Sequence, residues 1–417
     1  MEPETDHSVR FVHFASRASK KRPRIDSGNS CIVSVQANER RLSRFINFLD
    51  THKDLASYVR SLMVLSPMND VDQLSLDGGG GGTDGLITPH TLVRIARRLP
   101  HLRRCQLYFV HVAHSPPDAS CVVEDAPVDD SPIGLDVFHV FGSPRQETGP
   151  FLELLSHLRI DRLELELVTF LQGPNTSAPR SDTRTRQVAV RDIWMDLDTA
   201  DDAPAGILSA LSSALLPDTL QVFHCRWRYW EECTAVGSFL RNAGRSITDL
   251  GLNMSTVSWV EEAGGAIQRE GWVRLNLASC PNVRTFRTSV RLPLACPSSD
   301  VANVKRGVTS YRNLFSLLPP TIQTVVLHMS HVQRSFDHLR LHHASHQNAA
   351  RGLIPVDFSE IEEALLELPQ LERVVLFMRS SEIMKQGGPE VVTTAFPGLH
   401  AQGILQVMTG AVRPNVR

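Results

Sequence analysis

The chain has 417 residues, of which 42% are hydrophobic and 21% charged, a balance typical of a folded soluble protein rather than a disordered or membrane chain. Its 43 lysines and arginines nearly cancel its 45 aspartates and glutamates, so the overall charge favours neither nucleic acid nor a membrane surface as a partner. The length alone would allow roughly two to four domains. About 48 of the residues are leucine, and the repeats described below account for that excess.

Residues 1–37 form a polar and basic N-terminal tail. The acidic first residues lack the basic and apolar regions of a secretory signal, and the seven cysteines contain no C-x-x-C pair, which predicts a reduced protein of the cytoplasm or nucleus. A compact basic run fits a nuclear-localisation signal, the alternative being a solvated tail. It consists of Lys20, Lys21, Arg22 and Arg24. The segments 9–14 and 31–35 predict at most a pair of short strands.

A six-residue pattern, apolar-x-x-apolar-x-apolar, marks nine predicted repeats after residue 38. These repeats begin at Val59, Leu102, Ile160, Val190, Leu220, Ile247, Val283, Ile322 and Leu371, and the Val283 hexad ends in the polar Thr288. The alternation at the end of each hexad predicts a short strand with one buried face. Apolar residues at helical spacing precede most hexads and end at a proline or polar turn, and Thr88 before Pro89 predicts the start of one such helix. The predicted unit is therefore helix, turn, strand.

A lone unit of this kind cannot bury the apolar faces of both its helix and its strand, so neighbouring units must stack. We therefore predict a single α/β solenoid over residues 38–417, with parallel strands on the concave face and helices on the convex face. Long spacings between hexads predict loop insertions at the edges of the repeats. They are residues 77–85, 114–149, 173–186, 295–308 and 333–355.

Three short elements accompany these repeats. They are Leu-Pro-x-Leu at Leu99 and Leu368, the segment Ser279-Cys-Pro-Asn-Val283, and the segment Phe396-Pro-Gly-Leu-His-Ala401. The elements resemble the leucine-rich-repeat region of fungal, chiefly basidiomycete, F-box-like proteins. The resemblance implies a horseshoe that recognises the protein substrate of a ubiquitin ligase, with an F-box that binds a Skp-type adaptor. Residues 1–37 lack the Leu-Pro start, apolar helix and closing Cys-x-x-x-Trp-like element of an F-box, so the resemblance supports the partner-binding repeat more than the adaptor role.

Residues between and after the pattern positions of a leucine-rich strand face the concave surface, where we predict that a protein partner binds. The predicted contact residues are Tyr108, Glu164, Glu166, Trp194, Asp196, His224, Arg226, Trp227, Asn253, Arg287, His328 and Phe377. Charged residues mixed with exposed aromatic residues are typical of a protein-recognition surface. The alternatives are a merely solvated face and, for the segment 226–230, tryptophans that cover the neighbouring repeat.

Two other features support the hypothesis of a small-molecule or metal-binding enzyme. The glycines at 80, 82 and 85 match a dinucleotide fingerprint, but no Asp or Glu for the ribose stands about 20 residues later. The histidines at 338, 342 and 346 would share one face of a helix and suit zinc or copper, but lack a fixed carboxylate partner. Because no nucleophile elbow occurs either, we predict a binding protein without catalysis, cofactor or metal.

Overall fold

The computed structural model describes the helices and strands on which these predictions depend. The described residues are 11–13, 31–66, 85–114, 131–143, 146–171, 187–197, 204–227, 230–254, 265–290, 301–328, 357–378 and 393–409. The chain divides into two compact units, Met1–Thr219 and Leu220–Arg417. Both units combine parallel strands with helices, so the predicted α/β class is confirmed.

The first unit contains a sheet of parallel strands that lie side by side in chain order. With all strands numbered along the chain, its members are β1 (Phe11–His13), β2 (Cys31–Gln36), β3 (Val59–Leu65), β5 (Arg104–Tyr108), β7 (Ile133–Phe141), β9 (Leu158–Glu166) and β11 (Ala189–Asp196). Each hexad of this unit overlaps one of these strands, as predicted. Two neighbouring parallel strands need a crossover connection between them, and the connecting segment is usually a helix.

The helices of the first unit follow one another along the sheet. They are α1 (Glu39–Thr51), α2 (Lys53–Ala56), α3 (Pro89–Arg97), α4 (Thr148–Ser156) and α5 (Pro204–Ala214). The amphipathic α1 buries one helical stripe, formed by Leu42, Phe45, Ile46 and Leu49. At the start of α3, Thr88 accepts a hydrogen bond from the Thr91 amide, which confirms the predicted N-cap. α1 contacts α3, α3 contacts α4 and α4 contacts α5, so each helix extends the apolar layer of the preceding one.

A buried glutamine links two small sheets beside the main one. Strand β4 (Leu86–Ile87) pairs with β6 (His111–Val112), and β8 (Gln146–Glu147) pairs with β10 (Phe170–Leu171). Gln146 Nε2 donates to the Val112 carbonyl at 3.0 Å, and Gln146 Oε1 accepts from the Val112 amide at 3.3 Å. Since the Gln146 side chain is fully buried, these bonds satisfy polar groups that would otherwise cost free energy, and they join β6 to β8.

The second unit repeats the same arrangement of helices and strands. Its parallel strands, again in chain order, are β12 (Val222–Trp227), β13 (Asp249–Met254), β14 (Thr285–Ser289), β15 (Thr324–His328), β16 (Arg373–Met378) and β17 (Leu405–Thr409). Its helices are α6 (Glu232–Ala243), α7 (Gly265–Arg274), α8 (Val301–Phe315), α9 (Ser359–Leu366) and α10 (Pro397–Ala401). Each of these helices contacts the next one along the chain.

Tryptophans fill the core of the second unit near α6 and α7. The rings of Trp230 and Trp272 meet edge to face with centroids 4.9 Å apart, and Trp227 lies 6.4 Å from Trp272. Trp272 Nε1 donates a 2.8 Å hydrogen bond to Ser310 Oγ on α8. This cluster joins β12, α7 and α8 into one apolar core.

Three predicted boundaries were wrong. Residues 114–149, predicted as a loop, contain β7 and the start of α4, and residues 295–308 contain the first half of α8. The sheet also begins before residue 38, because β2 pairs with β3 and β1 pairs with β2. The two short strands predicted in the N-terminal tail are thus present and extend the sheet. The other predicted loops, apart from Gly85, lie outside the described residues.

Candidate functional site

One face of each sheet is covered and the other, called the open face below, stays partly exposed. In β5, Cys105 and Leu107 are buried, whereas Gln106 and Tyr108 are partly exposed. The alternation follows from the two-residue repeat of a strand. The open face of the first unit carries five of the predicted contact residues, Tyr108, Glu164, Glu166, Trp194 and Asp196, and that of the second unit carries six, His224, Arg226, Asn253, Arg287, His328 and Phe377.

Strand register aligns the open-face residues of β5, β7, β9 and β11 in rows. The first row holds Gln106, His139, Glu164 and Trp194. The second row holds Tyr108, Phe141, Glu166 and Asp196. Neighbouring strands lie about 5 Å apart, so adjacent side chains within a row are close enough to interact. In the second row, two aromatic rings therefore stand beside two carboxylates.

The aromatic residues of this surface form a connected cluster. The Tyr108 ring centroid lies 5.6 Å from that of His139 and 5.7 Å from that of Phe141. Phe109, the residue after β5, meets Phe141 edge to face at 5.5 Å. His139 Nε2 lies 3.9 Å from Glu166 Oε2, so the cluster reaches the carboxylates directly.

Burial and like charges act on the two glutamates of β9. Burial raises the pKa of Glu164, although the positive charges of Arg162 and Arg104 act to lower it. Burial also raises the pKa of Glu166, and the negative charges of Glu164 and Asp196 add to that rise. A nearby positive charge would therefore relieve repulsion that this surface now carries.

The positive charge on this open face lies towards the start of the strands. A third row there holds Arg104, Val137, Arg162 and Asp192. The Arg162 guanidinium lies 5.5 Å above the ring of Trp194, a cation–π contact, and its Nε is 3.7 Å from an Asp192 oxygen. Burial, with the charge of Arg104, lowers the pKa of His139 to about 4, so the imidazole is neutral at neutral pH. The open face is thus positive at one end and negative at the other.

On the open face of the second unit, an aspartate lies between a histidine and an arginine. Asp249 accepts from Arg287 Nε at 3.0 Å and from Arg287 Nη2 at 2.8 Å, and its Oδ1 lies 3.0 Å from His224 Nε2. Gly251 leaves room for this arrangement, since a Cβ there would stand 2.7 Å from the His224 ring. The cluster links β12, β13 and β14. His224 and Arg287 both contact the Asp249 carboxylate.

The Asp249→Asn variant is expected to lose about 2 kcal/mol of stability at neutral pH, because the charge-assisted bonds from Arg287 and His224 weaken. Burial acts to raise the Asp249 pKa, but hydrogen bonds and charges from His224 and Arg287 outweigh it, so the net pKa is lowered. A lowered folded-state pKa contributes stability above the unfolded value of about 3.9, and that contribution disappears as pH falls through the folded pKa. Urea denaturation from pH 7 down to about 3 should therefore show the variant and the native protein converging.

Asp161→Asn on the exposed part of β9 is the matched control, with an expected effect within about 0.5 kcal/mol. A stability difference for Asp249→Asn that stays constant across this pH range would contradict the charge network.

Trp227 was wrongly predicted as a contact residue. Its side chain is fully buried, on the same face of β12 as Phe223 and Cys225. The alternation that starts at Phe223 already places Trp227 inward, so the signal was present in the sequence. The segment 226–230 thus contributes Arg226 to the open face and both of its tryptophans to the core.

His139 and Phe141 were missed, because the strand that carries them was predicted to be a loop. The residues Leu135, Phe138 and Val140 repeat the apolar-x-x-apolar-x-apolar hexad and are all buried. That pattern could have identified β7, and with it the aromatic residues beside Glu164 and Glu166.

Other predicted sites lie outside the described residues: the basic run Lys20, Lys21, Arg22 and Arg24, the glycines at 80 and 82, and the histidines at 338, 342 and 346. Within the described part of the chain, His, Cys, Asp and Glu form no group of three or more able to hold a metal ion. The helices of that part include none with the length and apolar character needed to cross a membrane. Burial raises the pKa values of Cys105, Cys233 and Cys280 to about 12, so these thiols stay protonated at neutral pH.

No protein-family model matches the chain, and no curated protein matches it.

Proposed function

We propose that the chain is a non-catalytic protein-interaction scaffold, built as an irregular leucine-rich-repeat-like solenoid whose strands line the concave face. Parallel strands in chain order, each preceded in most repeats by a helix that contacts the next helix, support this architecture. Stacking lets every repeat bury its apolar faces against its neighbours. The strand face is then left available to a partner.

The mixed composition of the open face is the observation that carries this proposal. Tyr108, Phe141 and Trp194 lie there among Glu164 and Glu166, in registered rows rather than scattered over the surface. Aromatic and charged residues that converge on one surface are typical of binding hot spots, where a few anchors supply most of the affinity.

The F-box resemblance extends the proposal to a ubiquitin-ligase adaptor of the cytoplasm or nucleus. In such an assembly the strand face of the chain binds the protein to be ubiquitinated, and a Skp-type adaptor links the chain to a cullin.

Affinity purification of the tagged full-length protein from its native host, followed by mass spectrometry, tests both parts. At least one open-face variant, Arg226→Ala or Trp194→Ala, is expected to lose a protein that the native chain retains. Arg241→Ala, exposed on α6, is the control and should retain it. Equal recovery with all variants, or no reproducible partner, would contradict the open-face scaffold.

Recovery of a cullin and a Skp-type adaptor would support the ligase role. A stable open-face partner recovered consistently without them would exclude that role and leave the scaffold in place.

A further inference from the structure

Six side chains on and beside β5, β7, β9 and β11 form what we call the acidic–aromatic patch. They are Tyr108, Phe109, Phe141, Glu164, Glu166 and Asp196. His139 lies between the rings and the carboxylates, 11% exposed, and its Nε2 forms no hydrogen bond within the described structure. The patch is therefore continuous from its aromatic part to its acidic part.

Bulky apolar residues border the patch at the C-terminal ends of the strands. Phe109 and Leu167 follow β5 and β9 with φ values of 56° and 53°, a region that residues other than glycine rarely adopt. Their side chains remain 37% and 46% exposed. Between them Gly142 has a φ of 68°, and a Cβ there would stand 2.4 Å from the Phe109 ring. The backbone thus holds an aromatic ring against Phe141 while leaving it accessible to a partner.

The charge of the patch determines what fits it. The first two rows of β5, β7, β9 and β11 contain three carboxylates. Arg104 and Arg162 lie in the third row, where Arg162 Nη1 is 3.8 Å from Glu164 Oε1, so Glu166 and Asp196 form the acidic end of the patch. His139, in the first row, is neutral at neutral pH. Anionic ligands such as nucleic acid would be repelled, whereas a cation would gain Coulomb energy that partial burial strengthens.

Among cationic side chains, arginine matches this geometry best. Its planar guanidinium can stack on an aromatic ring while its N–H groups donate in pairs to a carboxylate. Tyr108 and Phe141 offer the rings, and Glu166 and Asp196 continue the same row. Lysine could supply the charge but not the planar stacking.

We infer that the acidic–aromatic patch is the docking site for an arginine-containing segment of a protein partner. The guanidinium stacks on Phe141 and pairs with the adjacent Glu166, and Tyr108 and Asp196 flank it in the same row. Apolar neighbours in the segment cover Phe109 and Leu167. This inference rests on the proposed function, because it names the chemistry of the partner that the open face would bind.

Fluorescence anisotropy with the full-length protein tests the inference. The probe is a labelled peptide of alternating arginine and leucine residues, and its control replaces each arginine with uncharged citrulline. The citrulline peptide is expected to bind at least about tenfold more weakly, and affinity for the arginine peptide should fall with added salt. Equal binding of both peptides, or no binding of the arginine peptide, would overturn the inference.

Matched variants locate the binding. The double variant Glu166→Gln and Asp196→Asn, and separately Tyr108→Leu, should each weaken arginine-peptide binding at least about tenfold. Glu153→Gln, exposed on α4, should leave it unchanged. Because burial and neighbouring negative charge raise the Glu166 pKa, the neutral glutamine should not unfold the strand, and circular dichroism would verify this. Unchanged binding by the double variant would place the peptide elsewhere and refute the site.

Two competitors distinguish other occupants. A lysine version of the peptide that binds as tightly would reduce recognition to charge alone and overturn the arginine assignment. A peptide of residues 17–27 that binds more tightly than the arginine peptide would identify the occupant as this chain's own basic segment.

Failure of this inference and failure of the proposed function give different results. If the peptide assays fail while Trp194→Ala or Arg226→Ala still loses a native partner, only this inference is wrong. If no open-face variant loses a partner, the proposed function is wrong.

Discussion

Replacing Gly237 with alanine is expected to destabilise the second unit by about 3 kcal/mol. Gly237 lies in α6 where that helix passes α7, and a Cβ there would stand 1.8 Å from the carbonyl oxygen of Arg274. Non-bonded atoms pack at about 3.5 Å, so the two helices would have to separate by more than about 1 Å. Alanine gains about 1 kcal/mol of helix propensity over glycine, but a backbone carbonyl cannot rotate away as a side chain can, so the overlap prevails.

Chemical denaturation of the native protein and the variant measures this effect. Gly134→Ala on β7 is the matched control, because a Cβ there meets nothing within 4 Å and should change stability by less than about 0.5 kcal/mol. Gly271→Ala should fall between the two, since its Cβ would meet the Trp230 ring, a side chain that can shift at a cost. If Gly237→Ala were as stable as Gly134→Ala, α6 and α7 could not approach each other as described.

Replacing Trp227 with alanine should cost about 4 kcal/mol, the largest loss we expect from a single side chain. The indole is fully buried next to Trp272, and its removal would leave a cavity in a core that α7 and α8 share. Trp194 offers the matched comparison, being the same residue type on an open face. Trp194→Ala should cost only about 1 kcal/mol, mainly the contact with the Arg162 guanidinium.

The two tryptophans should also separate stability from binding. Trp227→Phe, which retains most of the buried volume, is expected to keep the partner in affinity purification, whereas Trp194→Ala weakens its recovery. Thermal denaturation supplies the stability of each variant. A stable Trp227→Ala protein that loses the partner would reverse the assignment and return Trp227 to the binding surface.

The local sequence pattern predicted a strand or helix correctly where the geometry of that element depends on its own residues alone. The nine hexads overlap strands, and Thr88 caps α3, because the two-residue and 3.6-residue repeats are properties of the chain itself. The same two-residue alternation also predicts a strand at Leu135, where β7 lies, and a buried position for Trp227. Turn-forming residues around β7 favour a loop over a strand, and tryptophan is common both in cores and in interfaces, so residue type alone does not place Trp227.

Other features depend on residues far apart in the chain and could not be derived from local pattern. The approach of Gly237 to Arg274 depends on how two helices pack, and the link from Gln146 to Val112 joins strands 34 residues apart. The pKa shifts of Glu164 and Glu166 likewise need the burial and the neighbouring charges that the sheet creates.

Apolar periodicity along single segments was enough to predict the α/β class and the strands that the nine hexads mark, because a two-residue or 3.6-residue repeat is a property of one segment. The folded sheet was needed to show that β7 lies between β5 and β9 and that Tyr108, Phe141, Glu166 and Asp196 share one row. The register between strands places side chains from four separate segments within interaction distance, and no single segment contains that information.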